Sequence, residues 1–118
     1  MLPRIFYVNW FRKDARGRFL WPGFGDNARV LEWVFRRCDD AVDAVDTPIG
    51  RVPSKRGLDT AGLQIDSADL EQLLAVDPSE WLEEVGPIRE FYADFGAKLP
   101  RELSEQLDAL EARLRDAS

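Results

Sequence analysis

"RIFYVNWF", residues Arg4–Phe11, is the stretch on which the fold class turns. It is dense in aromatic and β-branched side chains and apolar on both faces, so it reads as a strand buried on both sides. No later stretch matches it: "TPIGRVP" (47–53) and "GLQI" (62–65) offer only short extended pieces, each broken by Pro or Gly. A strand apolar on both faces needs neighbours for its backbone N–H and C=O groups and a cover for each face. The expectation is an α+β chain cut from something larger, with one strong N-terminal strand, a Pro/Gly loop and about four helices.

Outward from that strand, "RKDARGR" (12–18) is a charged turn in which Gly17 can take positive φ. "FLWPGFGDN" (19–27) then leads into helical spacing over Asn27–Arg37, with Val30, Leu31, Val34 and Phe35 apolar and Trp33 nearby. Asp26 or Asn27 is placed as N-cap, and Arg36 and Arg37 complement the C-terminal dipole. From Cys38 to about Gly62 the pattern is irregular, a long surface loop with room for a short strand. Asp66 or Ser67 caps a helix carrying Leu70, Leu73 and Leu74. "DPSE" (77–80) carries a cap at Asp77, Pro78 at the first helical position and Glu80 three residues after the cap. The helix it opens presents Trp81, Val85, Ile88, Tyr92 and Phe95 on one side, is interrupted by Pro87 and ends at Gly96. Pro100 opens a last helix with Leu103, Leu107, Leu110 and Leu114 in one stripe.

With 118 residues the chain has room for one domain. Its net charge of −6 and lack of histidine argue against a sequence-independent grip on nucleic-acid phosphates. The charge is unevenly spread: Met1–Arg37 carries eight Arg or Lys against three Asp or Glu, the remainder eight against nineteen. The single cysteine, Cys38, rules out an internal disulfide and a Cys-cluster metal site, and fits a reducing compartment. No apolar run approaches the length of a membrane span and the N-terminus has no signal-peptide pattern. A cytoplasmic protein without membrane contact is expected.

Few catalytic parts are present. There is no GxxxxGKS or GxxxxGKT phosphate loop, no histidine for general-base work and no carboxylate cluster distinct from solvated helix faces. "IDSAD" (65–69) is explained by a helix cap. The leucine stripe of the last helix reads either as packing on its own protein or as a partner surface.

"FLWPGFGDN" is different. Its rings, with Trp10 and Phe11, lie on a strand end, a turn and a Pro-Gly loop, so no single period points them one way. They can fill core or line a pocket. Gly23 and Gly25 allow close backbone approach to a ligand, and the following helix start offers free N–H groups and the positive end of its dipole. Stacked aromatics beside backbone donors and an Asn amide are the parts needed to hold and identify a purine base.

The run "IFYVNWFRKDARGRFLWPGFGDNARVLEWVF" resembles the nucleotide-base site of GTP-dependent phosphoenolpyruvate carboxykinase. The likeness continues through "TPIG", "DPSEWLEEV" and "IREFYADFGAKLP" to the leucine-striped end, so residues 1–118 look like the C-terminal, guanine-binding part of that enzyme. The resemblance implies that Phe11 and Phe24 sandwich the guanine, Phe19 walls the pocket and Trp10 packs behind. It implies that Gly25, Asp26 and Asn27 present backbone and amide groups to the base edge. Asp26 and Ala28 stand where the family has Glu and Ser, and Arg51 where an aromatic is usual.

The implied reaction converts oxaloacetate and GTP to phosphoenolpyruvate, GDP and CO2, with Mn2+ and Mg2+. Its metal ligands, phosphate loop with reactive cysteine, oxaloacetate-binding arginines and lid are implied to lie upstream of this chain. Cys38 does not match that cysteine. The chain alone is thus expected to hold no catalytic residue and no metal ligand, to bind guanine nucleotide and to be inactive, its parent being a monomer. The competing expectation is a non-enzymatic fragment or interaction module that docks through its strand and its leucine-striped last helix.

Overall fold

In the computed structural model, which describes residues 2–118, the order of elements is a 3-10 turn Phe24–Asp26, helix α1 (Asn27–Cys38), strands β1 (Ala44–Thr47) and β2 (Gly50–Pro53), helices α2 (Ser67–Leu74) and α3 (Pro78–Ala93), a 3-10 turn Gly96–Lys98, and helix α4 (Arg101–Ala117). Four α-helices and a two-stranded sheet among the described residues bear out the α+β class. The chain divides into two units, one formed by the residues up to Val45 with Arg51–Ala75, the other by Asp46–Gly50 with Val76–Ser118.

The first unit buries Leu20, Trp21, Trp33, Leu58 and Leu70. Helix α1 turns Trp33 inward and leaves Leu31 and Phe35 exposed, so the buried face is centred on Trp33 rather than on the expected stripe of Val30, Leu31, Val34 and Phe35. Asp26 occupies the N-cap position but in helical conformation and without a capping bond. The preceding 3-10 turn already directs the backbone, and the Asp26 carboxylate instead accepts from Arg29 Nε at 3.1 Å. At α2 the expected cap is present, with Asp66 Oδ1 accepting from the Asp69 N–H at 2.7 Å.

Arg4–Phe11 is not a strand in this structure. No ladder runs along it, and the nearest pairing is a single antiparallel bridge between Lys13 and Phe19. Phe6 packs edge-on against Trp33, with ring centroids 6.1 Å apart, while Ile5 and Tyr7 on the opposite side are 92% and 86% exposed. Burial alternates along the segment, but among the described residues no second strand lies beside it to take its backbone hydrogen bonds. The side chains of one face find cover; those of the other do not.

In the second unit α3 and α4 form a helical pair whose core is Val85, Leu107 and Leu114, with Trp81, Leu82, Ile88, Tyr92, Leu110 and the hairpin-tip residue Ile49 packed around it. The leucine stripe therefore packs within its own unit, the first of the two readings the sequence left open, and does not form a partner surface; Leu103 and Phe95 alone of the expected positions remain largely exposed. Asp77 caps α3 by accepting from the Ser79 N–H at 2.8 Å, and Pro87 is carried on the exposed side of a continuous helix. Arg89 reaches from α3 to Asp108 at 2.9 Å and Glu111 at 2.7 Å on α4.

Gly57 lies where any Cβ would meet Trp33 Nε1 at 3.1 Å and the Ser54 backbone at 3.3 Å. Because Trp33 is buried and cannot retreat, Gly57→Ala is expected to destabilise the first unit by about 1–2 kcal/mol, read from urea unfolding followed by tryptophan fluorescence. An unchanged midpoint would refute the packing account.

The second unit should be acid-labile. The Ser79 backbone N–H holds the Asp77 carboxyl below its ordinary value, and Arg115, then Arg89, do the same for Glu111. A carboxyl with a lowered folded pKa contributes stability that is present above the unfolded value, near about 4, and is lost as pH falls through the folded one. Thermal melts of α3–α4 helicity should be flat from about pH 6 to about pH 5 and fall below about pH 4. Asp77→Asn, which keeps an acceptor but does not titrate, should show a smaller fall.

Candidate functional site

The segment between Arg12 and Asn27 builds a scaffold beneath a set of exposed rings. The Asp14 N–H donates to Arg18 O at 2.9 Å and the Leu20 N–H to Arg12 O at 2.9 Å, closing a turn in which Gly17 adopts φ +79°. Asp14 Oδ1 accepts from the backbone N–H groups of both Arg16 and Arg18. Those donors, that of Arg18 foremost, keep the Asp14 carboxyl below its ordinary value. The Arg18 guanidinium binds Asp14 at 3.1 Å and reaches Asp69 of α2 at 2.8 Å, while Arg12 donates to the carbonyls of Leu73 and Ala75 at the other end of α2. With both sides of the turn tied down, Phe11 and Phe19 meet edge to face at 6.1 Å, and Lys13 Nζ lies 4.8 Å from the centre of the Phe19 ring.

The next residues separate by environment. Leu20 and Trp21 are buried, whereas Phe11, Phe19 and Phe24 are 71%, 51% and 95% exposed. Trp10 is half-buried. Pro22 and Gly23, the latter at φ +80°, turn the chain out of the core. Phe24 then takes φ +51°, the left-handed region that bulky side chains avoid. Among the described residues no ring stacks on Phe24. A large aromatic is held in a costly backbone conformation with its face in solvent, the reverse of what core filling would produce.

Of the polar groups expected at the base edge, the Asp26 N–H closes on Gly23 O at 3.2 Å and the Asn27 N–H on the carbonyls of Phe24 and Gly25. The Asp26 carboxylate is engaged by Arg29, which also donates to Asp59 O. Asn27 sits at the first position of α1, and its Oδ1 accepts from Trp21 Nε1 at 2.9 Å. The backbone N–H groups of Asp26 and Asn27 are thus closed within the turn, and Asn27 Nδ2 is left as the side-chain donor of this corner.

Sequence reading missed three scaffold roles. Arg12 and Arg18 looked like surface charge, and Trp21 like one more ring. Their partners lie 61, 51 and 6 residues away, separations that carry no periodic signal.

Among the described residues no three His, Cys, Asp or Glu side chains form a metal-holding group, and no helix is long and apolar enough to cross a membrane. The segment thus combines three exposed rings with the Asn27 side-chain amide.

Residues 1–113 match the family model of the phosphoenolpyruvate carboxykinase C-terminal P-loop domain, although the phosphate-loop pattern itself is absent from this sequence. The phosphoenolpyruvate carboxykinase (GTP) of Treponema pallidum (strain Nichols) is 53% identical over 114 residues, covering 96% of this chain and 18% of that protein. The enzymes of the same name from Paenarthrobacter aurescens and Neocallimastix frontalis are each 51% identical, covering 96% and 98% of this chain and 19% of their own length. The chain thus spans less than a fifth of these relatives. It belongs to the phosphoenolpyruvate carboxykinase C-terminal P-loop domain family.

Proposed function

We propose that residues 1–118 are the guanine-binding C-terminal part of a GTP-dependent phosphoenolpyruvate carboxykinase, and that the catalytic part lies in the length of the relatives that this chain does not span. The observation that carries the reading is Phe24, 95% exposed at φ +51°, on the same loop segment that carries the exposed, paired rings of Phe11 and Phe19. Phe11 and Phe24 receive the two faces of the base, Phe19 forms the wall, Trp10 backs the pocket, and Gly25, Asp26 and Asn27 form its polar edge. Stacking contributes about 1–3 kcal/mol per base and the edge supplies the choice of base.

In the whole enzyme the reaction is conversion of oxaloacetate and GTP to phosphoenolpyruvate, GDP and CO2. This chain's share is positioning: it fixes one end of the nucleotide so that the phosphates reach groups held elsewhere. Mn2+ and Mg2+ have no fitting donor set here, since the sequence lacks histidine and no three ligand side chains cluster among the described residues. No step of the reaction is assigned to a metal on these residues. The exposed Ile5, Tyr7, Leu31 and Phe35 are cover sites for the remainder of such an enzyme. A cytoplasmic monomer as parent accords with the single free thiol at Cys38.

The tests use the chain itself. Adding GDP, but not ADP, should change its tryptophan emission. Phe24→Gly should weaken GDP binding roughly tenfold or more through lost stacking, without lowering the melting temperature, because glycine accepts the left-handed backbone. Undiminished affinity would refute the base-site reading. With oxaloacetate, GTP and Mn2+ the chain should show no turnover above blank, and measurable turnover would refute the proposed location of the catalytic part.

A further inference from the structure

We propose that Trp21, a residue that does not touch the base, sets the choice of guanine over adenine by locking the Asn27 carboxamide in one of its two orientations; the proposal rests on the base-site reading above. An asparagine side chain can exchange its oxygen and nitrogen by a half-turn, and the two forms present opposite hydrogen-bonding characters to a ligand. Here the half-turn is blocked. Trp21 is 4% exposed, so its ring is held by the core, and its Nε1–H lies 2.9 Å from Asn27 Oδ1. An indole N–H only donates, so the swapped amide would set two donors against each other. The Asn27 backbone N–H is spent on Phe24 and Gly25 and does not compete for Oδ1. The amide nitrogen is therefore turned away from the indole. Guanine carries an acceptor oxygen at position 6, adenine an amino donor at the same place. The locked amide pairs with the first and opposes the second; a freely rotating amide would serve both. Trp21 is thus a positioning residue whose effect appears in selectivity rather than in binding as such.

The test compares GDP with ADP by calorimetry on the whole chain and its Trp21→Phe and Asn27→Asp variants, with the Asn27 side-chain amide followed by NMR in the wild type and Trp21→Phe. Trp21→Phe keeps an aromatic in the core but removes the donor. It should narrow the GDP-over-ADP preference about tenfold, chiefly by letting ADP bind better, and its Asn27 amide protons should exchange faster. Asn27→Asp keeps the acceptor for Trp21, so the fold and the protected indole N–H should persist while the preference for GDP is lost. A folded Trp21→Phe variant with the wild-type preference overturns the role of Trp21 alone. Should that variant not fold, Asn27→Asp decides: retained preference overturns the proposal, lost preference with a protected indole supports it. A wild-type chain that does not distinguish GDP from ADP overturns the base-site reading and this proposal with it.

Discussion

Arg12 and Arg18 both reach across to α2, one donating to the carbonyls of Leu73 and Ala75, the other to the Asp69 carboxylate. Helix α2 is a short element with unsatisfied carbonyls at its C-terminus, and the turn after Phe11 has no sheet to rest on. Each supplies what the other lacks. The energy, however, comes from below: partly exposed ion pairs such as Arg18–Asp69 contribute about 0–1 kcal/mol, whereas burying a large apolar side chain contributes about 1.5–3 kcal/mol. Leu20, Trp21, Trp33, Leu58 and Leu70 therefore hold the unit together, and the arginines decide where on it the aromatic loop sits.

That distinction explains what could be read from the sequence. Helix caps at Asp66 and Asp77, the Pro78 start and the α4 stripe are local patterns, and all are present in the structure. The candidate site residues could be named because nine consecutive positions combine rings, glycines and a helix start. Their division into buried Trp21 and exposed Phe24 could not, because no single period runs through the Pro22–Gly23 turn that separates the two rings. The strand expected at Arg4–Phe11 shows the opposite limit: its aromatic and β-branched composition was legible, but a strand is defined by a partner, and hydrophobicity does not say whether that partner is in the same chain. At Asp26 a favourable capping residue was present, yet the 3-10 turn and Arg29 claimed it.

The second unit obeys simpler rules. Trp81, Val85, Ile88 and Tyr92 on α3 meet Leu107, Leu110 and Leu114 on α4, all at helical spacing, so the contacts follow from two local patterns and one short connection. Arg89, bound to both Asp108 and Glu111, fixes the register of one helix against the other at modest energetic gain. An amphipathic stripe read from sequence leaves its partner open, and here the partner is the preceding helix.

Phe24 carries a consequence for the entropy of association. A loop that becomes ordered only when a ligand arrives charges that ordering to the binding equilibrium, and affinity falls accordingly. In this chain the left-handed backbone at Phe24, the Pro22–Gly23 turn and the closures onto Gly23 and Phe24 are held by the backbone's own hydrogen bonds, so the loss of conformational freedom belongs to folding. On the proposed base site the exposed ring is a pre-organised surface, whose stacking energy would go into affinity with little deducted, and the fold itself carries the strain of that readiness.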